Sequence, residues 1–424
     1  MPESNPYDIL IVGSGPAGLS TALHLVQVAP GLAARMLILE KAHHPRAKLC
    51  AGGLVADAEI ILERLGLDSS EVPHVDVETA HLDFAGKGLS LPLGRGHSES
   101  ECRRARMNAE GEKKKSAFFR AIPRPKNILR IIRRDEFDAW LAGKAGSRGI
   151  EIREGITVKN IIPDKDGVTV ETDAATFRAQ VVVGADGSNG VTRRCVLPDA
   201  PIHTARVLEV ITPTQPSPKF SEFGGGQGRG REGAAYFDFF PVPAGIAGYT
   251  WDFPTQIKGQ PMRCWGIYDM NIFADEKRPS LKETLAQEMA RHGLDLAEAE
   301  VNAHPLRWFS PFNVFAVPGV LLAGDAAGAD PLLGEGISMA LGYGQVAARA
   351  IQSAFTRDDF SFRDYRWRIL RSPLGQTLTA RWFFGHIIYS LRWRWLQSAL
   401  WRSLNPLIFV LAWLFVLNWG KRMR

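Results

Sequence analysis

Apolar residues near the start of the chain follow two different patterns, and each predicts a different element. Tyr7 to Val12 is a continuous apolar run with β-branched residues, typical of a strand buried on both faces of a parallel sheet. Pro16 to about Val28 predicts a helix, and Met36 to Leu39 predicts a second buried strand. The order strand, helix, strand is the unit from which parallel sheets are built.

Glycines mark the turn between the first strand and the helix, Gly13-Ser14-Gly15-Pro16-Ala17-Gly18. Gly13 allows a tight turn, Gly15 lets a pyrophosphate come close to the backbone, and Gly18 lets the helix pack against the sheet. Glu40 ends the second strand about 22 residues after the last glycine, where a carboxylate can accept hydrogen bonds from ribose hydroxyls. The stretch therefore predicts a dinucleotide site, with a glycine-rich turn that binds no ligand as the alternative.

Two later stretches repeat the pattern of a buried strand followed by a glycine turn. Ala179 to Val183 leads into Gly184-Ala185-Asp186-Gly187, where the backbone and the Asp186 carboxylate could meet a cofactor. Val320 to Asp325 precedes a helix that begins near Gly334-Glu335-Gly336-Ile337 and runs to about Phe355. The start of this helix favours negative charge, which suits the edge of a flavin that becomes negative on reduction.

Residues from about Ala205 to Arg307 instead form separated strands with proline and glycine turns. This pattern predicts a different, mostly antiparallel sheet, and hence a second domain. One helix is predicted inside it, starting at Ser280, whose hydroxyl can cap the first turn while Glu283 reaches back. A polar, basic insertion runs from Gly94 to Lys126 and predicts a mobile loop or a solvated run of charge.

Composition sets broad limits on the class of protein. With 424 residues, 45% of them hydrophobic and 23% charged, the chain is long enough for two globular domains, and fibrous and disordered classes are excluded. Its four cysteines lie far apart without a CxxC pair, which predicts neither a disulfide framework nor a metal site: Cys50, Cys102, Cys195 and Cys264. A reducing location on the cytoplasmic side fits this cysteine usage.

The net charge of +6 is concentrated in the C-terminal tail. From Arg357 onward there are about twelve basic residues against three acidic ones, with none acidic after Asp364. Tryptophans lie among these arginines, and the apolar run from Pro406 to Leu417 is shorter than the roughly 20 residues needed to span a bilayer. We therefore expect the tail to bind the cytoplasmic face of a membrane as a peripheral or monotopic segment. A helical pair packed on the protein is the alternative, and the long aliphatic runs argue against nucleic-acid binding.

Four separated stretches together resemble the FAD-dependent oxidoreductases of the para-hydroxybenzoate hydroxylase fold, over about the first 355 residues. They are GSGPAG with Glu40, Arg134-x-x-Phe-Asp, Gly184 to Gly187, and Gly324-Asp325 followed by Pro331 and Gly334 to Ile337. Within that superfamily, Lys48-Leu-Cys-Ala-Gly-Gly53 and Gly248-Tyr-Thr-Trp-Asp-Phe-Pro254 look like the CGG and YxWxFP signatures of the geranylgeranyl reductase family. The sequence departs from the usual pattern in the alanine after Cys50 and in the basic insertion.

The resemblance implies an α/β fold in three parts. A Rossmann-like FAD-binding domain would comprise residues 1–80, 127–204 and 308–355. An inserted, mostly antiparallel β-sheet substrate domain would comprise residues 81–126 and 205–307. Residues 356–424 would form a C-terminal helical tail that associates with a membrane.

The resemblance also implies residues that contact FAD, and together with Asp186 and the glycines of the turns they make up the predicted cofactor site: Gly13, Gly15, Ala17, Gly18, Glu40, Cys50, Ala51, Gly52, Gly53, Arg134, Val158, Asp186, Asp325, Gly334, Gly336 and Ile337. Asp325 would contact the ribityl chain, and Val158 would meet the adenine through its backbone. Tyr249, Trp251 and Phe253 would line a tunnel for an isoprenoid chain. In an extended segment these three rings project to one face as an apolar wall, although they could equally be the core of the second sheet.

The resemblance implies hydrogenation of C=C double bonds in a polyprenyl, geranylgeranyl-type lipid, with hydride supplied by reduced FAD. Cys50 is either a thiol beside the flavin with a catalytic role or a buried small hydrophobe. The sequence assigns no proton donor. Glu335 is expected either to begin its helix, where a carboxylate complements the dipole, or to act directly in catalysis. His43 and His44 are expected to face solvent.

A pyridine-nucleotide site is not visible as a second unit of strand, GxGxxG turn and helix, so the electron donor is expected to be loosely bound NADPH, ferredoxin, or another reduced carrier protein. Two other functions remain open. One is an FAD-dependent aromatic or quinone monooxygenase of the same fold, and the other is a membrane flavoprotein that carries electrons without alkene chemistry. Product mass separates the reductase, which adds two hydrogen atoms to each double bond, from the monooxygenase, which adds one oxygen atom.

Overall fold

The computed structural model describes residues 7–93, 129–214, 233–274 and 276–423. The predictions for the basic insertion from Gly94 to Lys126, and for Cys102 within it, lie outside these residues. Within the described ranges the strands form four sheets.

The described strands are β1 Ile9–Val12, β2 Met36–Glu40, β3 Gly53–Val55, β4 His74–Asp76, β5 Thr79–Asp83, β6 Gly88–Pro92, β7 Leu129–Ile132, β8 Glu151–Glu154, β9 Val158–Asp164, β10 Gly167–Thr172, β11 Thr176–Ala179, β12 Val181–Gly184, β13 Thr204–Pro213, β14 Ala234–Asp238, β15 Gly248–Ile257, β16 Gln260–Asp269, β17 Asn302–Arg307, β18 Ala316–Val317 and β19 Val320–Leu322. The described α-helices are α1 Pro16–Val28, α2 Pro30–Ala33, α3 Ala56–Arg64, α4 Arg134–Gly146, α5 Val191–Val196, α6 Leu281–Ala290, α7 Ile337–Arg357, α8 Tyr365–Arg371, α9 Pro373–Ser390, α10 Arg394–Ser398, α11 Asn405–Leu411 and α12 Trp419–Arg422.

A six-stranded sheet in the order β18-β19-β12-β1-β2-β8 forms the first layer. Its strands β1, β2, β8, β12 and β19 run parallel, and β18 pairs antiparallel with β19. Every residue of β1 and β2 is buried, which confirms the prediction that these apolar runs are covered on both faces. Helices α1, α4 and α7 share a core with one face, and the three-stranded sheet β9 to β11 packs against the other.

A seven-stranded sheet in the order β17-β13-β16-β15-β14-β5-β6 forms the second large layer. Its pairs are antiparallel except for β14 with β5, so it is mostly antiparallel, as the proline and glycine turns indicate. Helix α6 covers one face of this sheet and begins with the predicted capping box of Ser280 and Glu283. The opposite face of this sheet lines a cavity.

The tail contains the 18-residue helix α9 and several shorter helices, and it contacts the rest of the protein at several places. Trp419 is fully buried, and a Cβ placed at Gly342 of α7 would lie 2.8 Å from its indole. The backbone N–H of Gly420 donates to the carboxylate of Asp57 at 2.8 Å. None of the helices in the described ranges has both the length and the apolar character needed to cross a membrane. The structure thus contains a tail that packs on the rest of the protein. Membrane association of the tail stays a prediction.

Candidate functional site

Two adjoining cavities lie where the carboxyl ends of the parallel strands approach the seven-stranded sheet. The polar cavity, of about 560 Å³, is lined by the glycine turn after β1, by Glu40 and by residues 185–191. The aromatic cavity, of about 170 Å³, is lined by rings of the seven-stranded sheet and by the loops around Cys50 and Gly334. Five residues belong to both walls: Lys48, Arg134, His304, Asp325 and Gly336.

The glycine turn forms one end of the polar cavity, and glycine is needed at each of its three positions for a different steric reason. Gly13 has a φ of +101°, and a Cβ there would lie 2.6 Å from the carbonyl oxygen of Ala185. A Cβ at Gly18 would lie 2.1 Å from the carbonyl oxygen of Gly13, so Gly18 is a packing position and lies behind the wall. A Cβ at Gly15 would meet only Arg46 within 4 Å, at 3.5 Å, so Gly15 keeps the cavity open.

Glu40 lies in the wall of the polar cavity and is held by a network of donors. Its carboxylate accepts hydrogen bonds from the backbone N–H and the hydroxyl of Ser14, both at 2.8 Å, and from the N–H of Ala42 at 3.1 Å. Burial alone would raise the pKa of Glu40, but the Arg46 guanidinium 3.6 Å away and the Ser14 hydrogen bonds outweigh it and lower the pKa. Glu40 is therefore a fixed carboxylate at neutral pH.

Arg134 places a fixed positive charge in the wall that the two cavities share. Its guanidinium makes two hydrogen bonds to Asp138, at 2.9 and 3.0 Å, and Asp138 also lies 3.3 Å from Arg46. Burial alone would lower the pKa of Arg134, but the Asp138 carboxylate outweighs it and raises the pKa above its usual value. The sequence analysis identified Arg134 and did not assign a role to Arg46.

Lys48 and His304 form a pair in the same shared wall that the sequence analysis missed. The Lys48 Nζ lies 3.2 Å from Nε2 of His304. Burial and the neighbouring Lys48 charge lower the pKa of His304 to about 4, so its ring is neutral and can accept a hydrogen bond from the ammonium group. The two residues are 256 positions apart, and a single histidine on a strand carries no signal that would predict the contact.

Asp186 lies in the polar wall, as predicted, and one of its carboxylate oxygens is bound within the protein. Its carboxylate accepts hydrogen bonds from the backbone N–H of Thr192 at 2.8 Å and from the Thr192 hydroxyl at 3.0 Å, at the start of α5. Asp186 therefore caps a helix beside the cavity. Val158, Asp325 and Gly336 line the polar cavity as well.

The aromatic cavity is walled by alternate residues of neighbouring strands. Tyr249, Trp251 and Phe253 of β15 lie on one face, with ring centroids 6.2 and 6.3 Å apart along the row. They are 4%, 5% and 6% exposed. The rings therefore form an apolar cavity wall and also belong to the core of the sheet, so the two expectations for them are compatible.

The loops that close the aromatic cavity contain the remaining predicted residues: Cys50, Ala51, Gly52, Gly53, Gly334 and Ile337. Burial raises the pKa of the Cys50 thiol, so the thiol rather than the thiolate is present at neutral pH.

The loop before α7 is fixed by side chains from three elements. Arg381 of α9 pairs with Asp330 at 2.6 Å and with Glu335 at 2.7 Å, so Glu335 does more than begin a helix. The hydroxyl of Tyr249 donates to the carbonyl of Leu333, and Tyr268 donates to that of Pro331 at 2.8 Å. The tail thereby contributes to the position of the cavity wall.

The expectation that His44 faces solvent is wrong. Its Nε2 lies 2.7 Å from the hydroxyl of Ser14, because the loop after β2 folds back over the glycine turn. His43 is exposed, as expected.

The polar cavity fits a flavin nucleotide on its own chemistry. The open backbone at Gly15 and the N terminus of α1 can meet phosphate charge. Glu40 can accept from ribose hydroxyls, and the start of α7 lies beside the junction with the aromatic cavity. A long ligand with a flat ring at each end and phosphates between them would extend from one cavity to the edge of the next.

Comparison with known proteins gives relatives over most of the chain. A protein of Methanosarcina barkeri and the FixC protein of Salmonella typhimurium are each 26% identical over 388 residues, which cover 90% and 87% of this chain and 84% and 82% of those proteins. Rifampicin monooxygenase of Streptomyces venezuelae is 26% identical over 351 residues, 79% of this chain and 62% of that enzyme.

A solved structure described as geranylgeranyl bacteriochlorophyll reductase-like, from Thermoplasma acidophilum, superposes with a TM-score of 0.70. The match covers 97% of this chain and 93% of that one at 20% identity, so it shows a common fold. The profile of the family described as FAD binding domain matches residues 6–230. The chain therefore belongs to the FAD-binding domain family and has the fold of the FAD-dependent oxidoreductases of the para-hydroxybenzoate hydroxylase type.

Proposed function

We propose that this FAD-dependent oxidoreductase is a reductase that hydrogenates C=C double bonds of a polyprenyl, geranylgeranyl-type lipid. The observation that carries the proposal is the aromatic cavity, which opens from the same wall as the polar cavity and is built from buried rings. Aromatic walls suit a long hydrocarbon and exclude a charged substrate. They also keep water away from the reacting carbon atoms.

FAD would be held in the polar cavity by the residues whose positions the structure gives. The N terminus of α1 would meet the pyrophosphate, Glu40 the adenosine ribose, Val158 the adenine, and Asp325 the ribityl chain. Gly336 and Ile337, at the start of α7, would lie beside the flavin ring, where the helix dipole favours negative charge. When bound and reduced, FAD supplies a hydride equivalent to the substrate.

The side chains at the junction would keep this arrangement dry and fixed. Arg134 is held by Asp138, and Lys48 by His304, so positive charge is fixed where the cofactor would approach the substrate. An unactivated alkene has no carbonyl group to polarise, so positioning and water exclusion are the main contributions that the cavity can make.

We propose further that the tail brings the protein to the cytoplasmic face of a membrane, where such a lipid would be found. Trp393 and Trp395 are 62% and 70% exposed, beside Arg392 and Arg394. Exposed indoles next to guanidinium groups fit the headgroup region of an anionic bilayer. Co-sedimentation with phosphatidylglycerol vesicles should fall when both tryptophans are replaced by serine. It should not fall when Ile162 and Ile202, two exposed apolar residues outside the tail, are both replaced by serine. Equal sedimentation of both variants would contradict this role.

The electron donor would be NADPH or a reduced carrier of the ferredoxin type.

The decisive experiment is anaerobic incubation of the dithionite-reduced protein with geranylgeranyl lipids, followed by mass spectrometry. We expect a gain of two hydrogen atoms for each double bond reduced. Val207→Phe should fill the aromatic cavity and abolish the gain while FAD stays bound, because Val207 lines that cavity and not the polar one. Leu208→Phe, on the opposite face of the same strand, is the matched control.

A monooxygenase is the second candidate, because rifampicin monooxygenase is among the relatives. It would add one oxygen atom to an aromatic or quinone substrate in air. Prenyl lipids of unchanged mass, together with an oxygenated aromatic product, would favour this alternative over the reductase.

A further inference from the structure

Glu209 places a carboxyl group in the wall of the aromatic cavity. It lies on β13, where its neighbours across the sheet are Gly266 of β16 and Asn302 of β17. Gly266 pairs in turn with Trp251 of β15, so Trp251, Gly266, Glu209 and Asn302 form one row across four strands. The side chains of Trp251, Glu209 and Asn302 line the cavity.

The absence of a side chain at Gly266 brings the Trp251 ring toward Glu209. A Cβ at Gly266 would lie 2.0 Å from Cζ2 of Trp251, so the indole occupies the space over this position. Directly opposite positions in antiparallel strands have Cβ atoms about 5 Å apart. A hydrocarbon chain that lies along the rings would therefore pass the Glu209 carboxyl.

The surroundings of Glu209 favour a carboxyl group that keeps its proton. The residue is 6% exposed. Burial raises the pKa of Glu209 to about 7, while the backbone N–H of Cys50, the charge of Arg133 and the thiol of Cys264 oppose this only in part. Arg133 is itself paired with Asp135 at 3.1 Å. A large fraction of the Glu209 carboxyl groups is thus protonated at neutral pH.

Most of the other hydroxyl and acid groups in the described part of this wall have partners, and Asp325 lies at the junction, where it lines the polar cavity as well. The hydroxyls of Tyr249 and Tyr268 donate to backbone carbonyls, and the Glu335 side chain pairs with Arg381 at 2.7 Å. The Cys50 thiol is a weaker acid than a carboxyl, because burial raises its pKa further. Lys48 lies at the junction and contacts His304. Glu209 is the acid that faces the rings.

We propose that Glu209 is the catalytic acid that protonates the substrate double bond, an inference that rests on the proposed reductase function. One alkene carbon receives the hydride equivalent, with its electron pair, from the reduced cofactor. The adjacent carbon takes the proton of the Glu209 carboxyl. The π bond, the O–H bond and the bond that held the transferred hydrogen on its donor break, and two C–H bonds form. Glu209 is left as a carboxylate, regains its proton from water, and the cofactor is reduced again by a two-electron donor of the nicotinamide or reduced-carrier class.

The test compares Glu209→Gln with the wild type in anaerobic single turnovers with a geranylgeranyl lipid. Glutamine keeps the size and the hydrogen-bonding groups of the side chain but has no acidic proton. We expect hydrogenation to slow by about 10²–10⁴-fold, the usual contribution of a general acid, with FAD content and lipid binding unchanged. Glu209→Asp, which keeps an acid with a shorter reach, should recover part of the rate.

Glu288→Gln is the matched control, because Glu288 is also a buried glutamate, 8% exposed, but lies on α6 away from both cavities. It should react within about twofold of the wild type. A second readout does not depend on turnover. In the infrared difference spectrum between the wild type and Glu209→Gln at about pH 6, the C=O absorption of one protonated carboxyl should appear, and it should vanish well above the folded pKa. The bands of Asp57 and Asp83, whose pKa values burial also raises, are common to both proteins and cancel.

The outcomes separate this role from the proposed function. A wild-type protein that hydrogenates no prenyl lipid would overturn the proposed function together with the role of Glu209. An active wild type with an equally fast Glu209→Gln variant would overturn the role of Glu209 alone. A Glu209 carboxyl that is already ionised at about pH 6 would also overturn it.

Discussion

Glu40 and Glu209 are two glutamates of nearly equal burial, one in each cavity, and they behave in opposite ways. They are 4% and 6% exposed. Glu40 accepts hydrogen bonds from Ser14 and Ala42 and faces Arg46, so its pKa is lowered although burial alone would raise it. Glu209 lies beside a thiol and an indole, and burial raises its pKa to about 7.

The difference shows that the partners of a buried carboxyl, rather than its depth, decide whether it is charged. The polar cavity is lined by charges that are paired and fixed, which suits a ligand with phosphates. The aromatic cavity combines apolar rings with one carboxyl that can hold a proton. Variants that remove the partners, or the carboxyl itself, test this comparison.

The largest effect is expected from Arg381→Met, which converts two paired carboxylates into unpaired ones. Arg381 is 1% exposed in its side chain and pairs with Asp330 and Glu335. Removing one member of a buried ion pair leaves uncompensated charge and costs about 3–5 kcal/mol in the free energy of unfolding. Urea denaturation at neutral pH measures this cost.

Arg392→Met is the control for Arg381→Met. Arg392 also belongs to the tail and pairs with Glu276, but the pair is partly exposed. Its removal should cost less than about 1 kcal/mol. If both variants lost the same stability, the tail would not hold the cavity loop through Arg381.

The second largest effect is expected from Glu209→Gln, which should have a higher free energy of unfolding than the wild type at high pH. Between the ordinary pKa of 4.5 and the folded value of about 7, the folded protein holds a proton that the unfolded chain has released. The free energy of unfolding of the wild type therefore falls as the pH rises through this window, and the variant escapes the fall. We expect the variant to be more stable by about 3 kcal/mol near pH 8 and no more stable near pH 4. Denaturation curves across this range would contradict the raised pKa if the difference did not depend on pH.

Much of the polar cavity could be predicted from sequence because its chemistry is local. Gly13, Gly15 and Gly18 are spaced by the geometry of one turn, and Glu40 follows at the end of the next strand. A pattern of a few dozen residues is enough to place these groups. The buried strands and the capping box of α6 were predicted for the same reason.

Predicting the aromatic cavity would have required the register of the strands in the sheet, which local sequence patterns do not determine. Alternation places Tyr249, Trp251 and Phe253 on one face, but it does not show that Glu209 lies in the same row as Trp251. Contacts such as Lys48 with His304 join distant parts of the chain. The composition of the tail indicated a membrane, whereas the burial of Trp419 depends on the small residue at Gly342.

The third effect is a loss of about 2 kcal/mol in Glu40→Gln at neutral pH, because hydrogen bonds to a charged acceptor are lost and Arg46 loses its nearby carboxylate. The pKa of Glu40 is lowered, so its stabilising contribution is present above about pH 4.5 and is lost as the pH falls through the folded value. The variant and the wild type should therefore converge in acid, the reverse of the behaviour expected at Glu209. FAD retention on gel filtration should also fall in Glu40→Gln and not in Glu209→Gln. Full retention by Glu40→Gln would remove Glu40 from the nucleotide site.

The smallest effect is expected from Tyr249→Phe, which removes a hydroxyl from the aromatic wall and keeps its ring. The hydroxyl donates to the carbonyl of Leu333 in the loop before α7, and no charge is involved. Leaving that buried carbonyl without its donor should cost about 1 kcal/mol, which thermal denaturation detects as a shift of a few degrees or less. Because neither partner titrates near neutral pH, the cost should be the same at pH 6 and pH 8, unlike that at Glu209. A pH-dependent loss would mean that Tyr249 acts through a neighbouring acid, and the role of proton donor assigned to Glu209 would then have to be divided between the two residues.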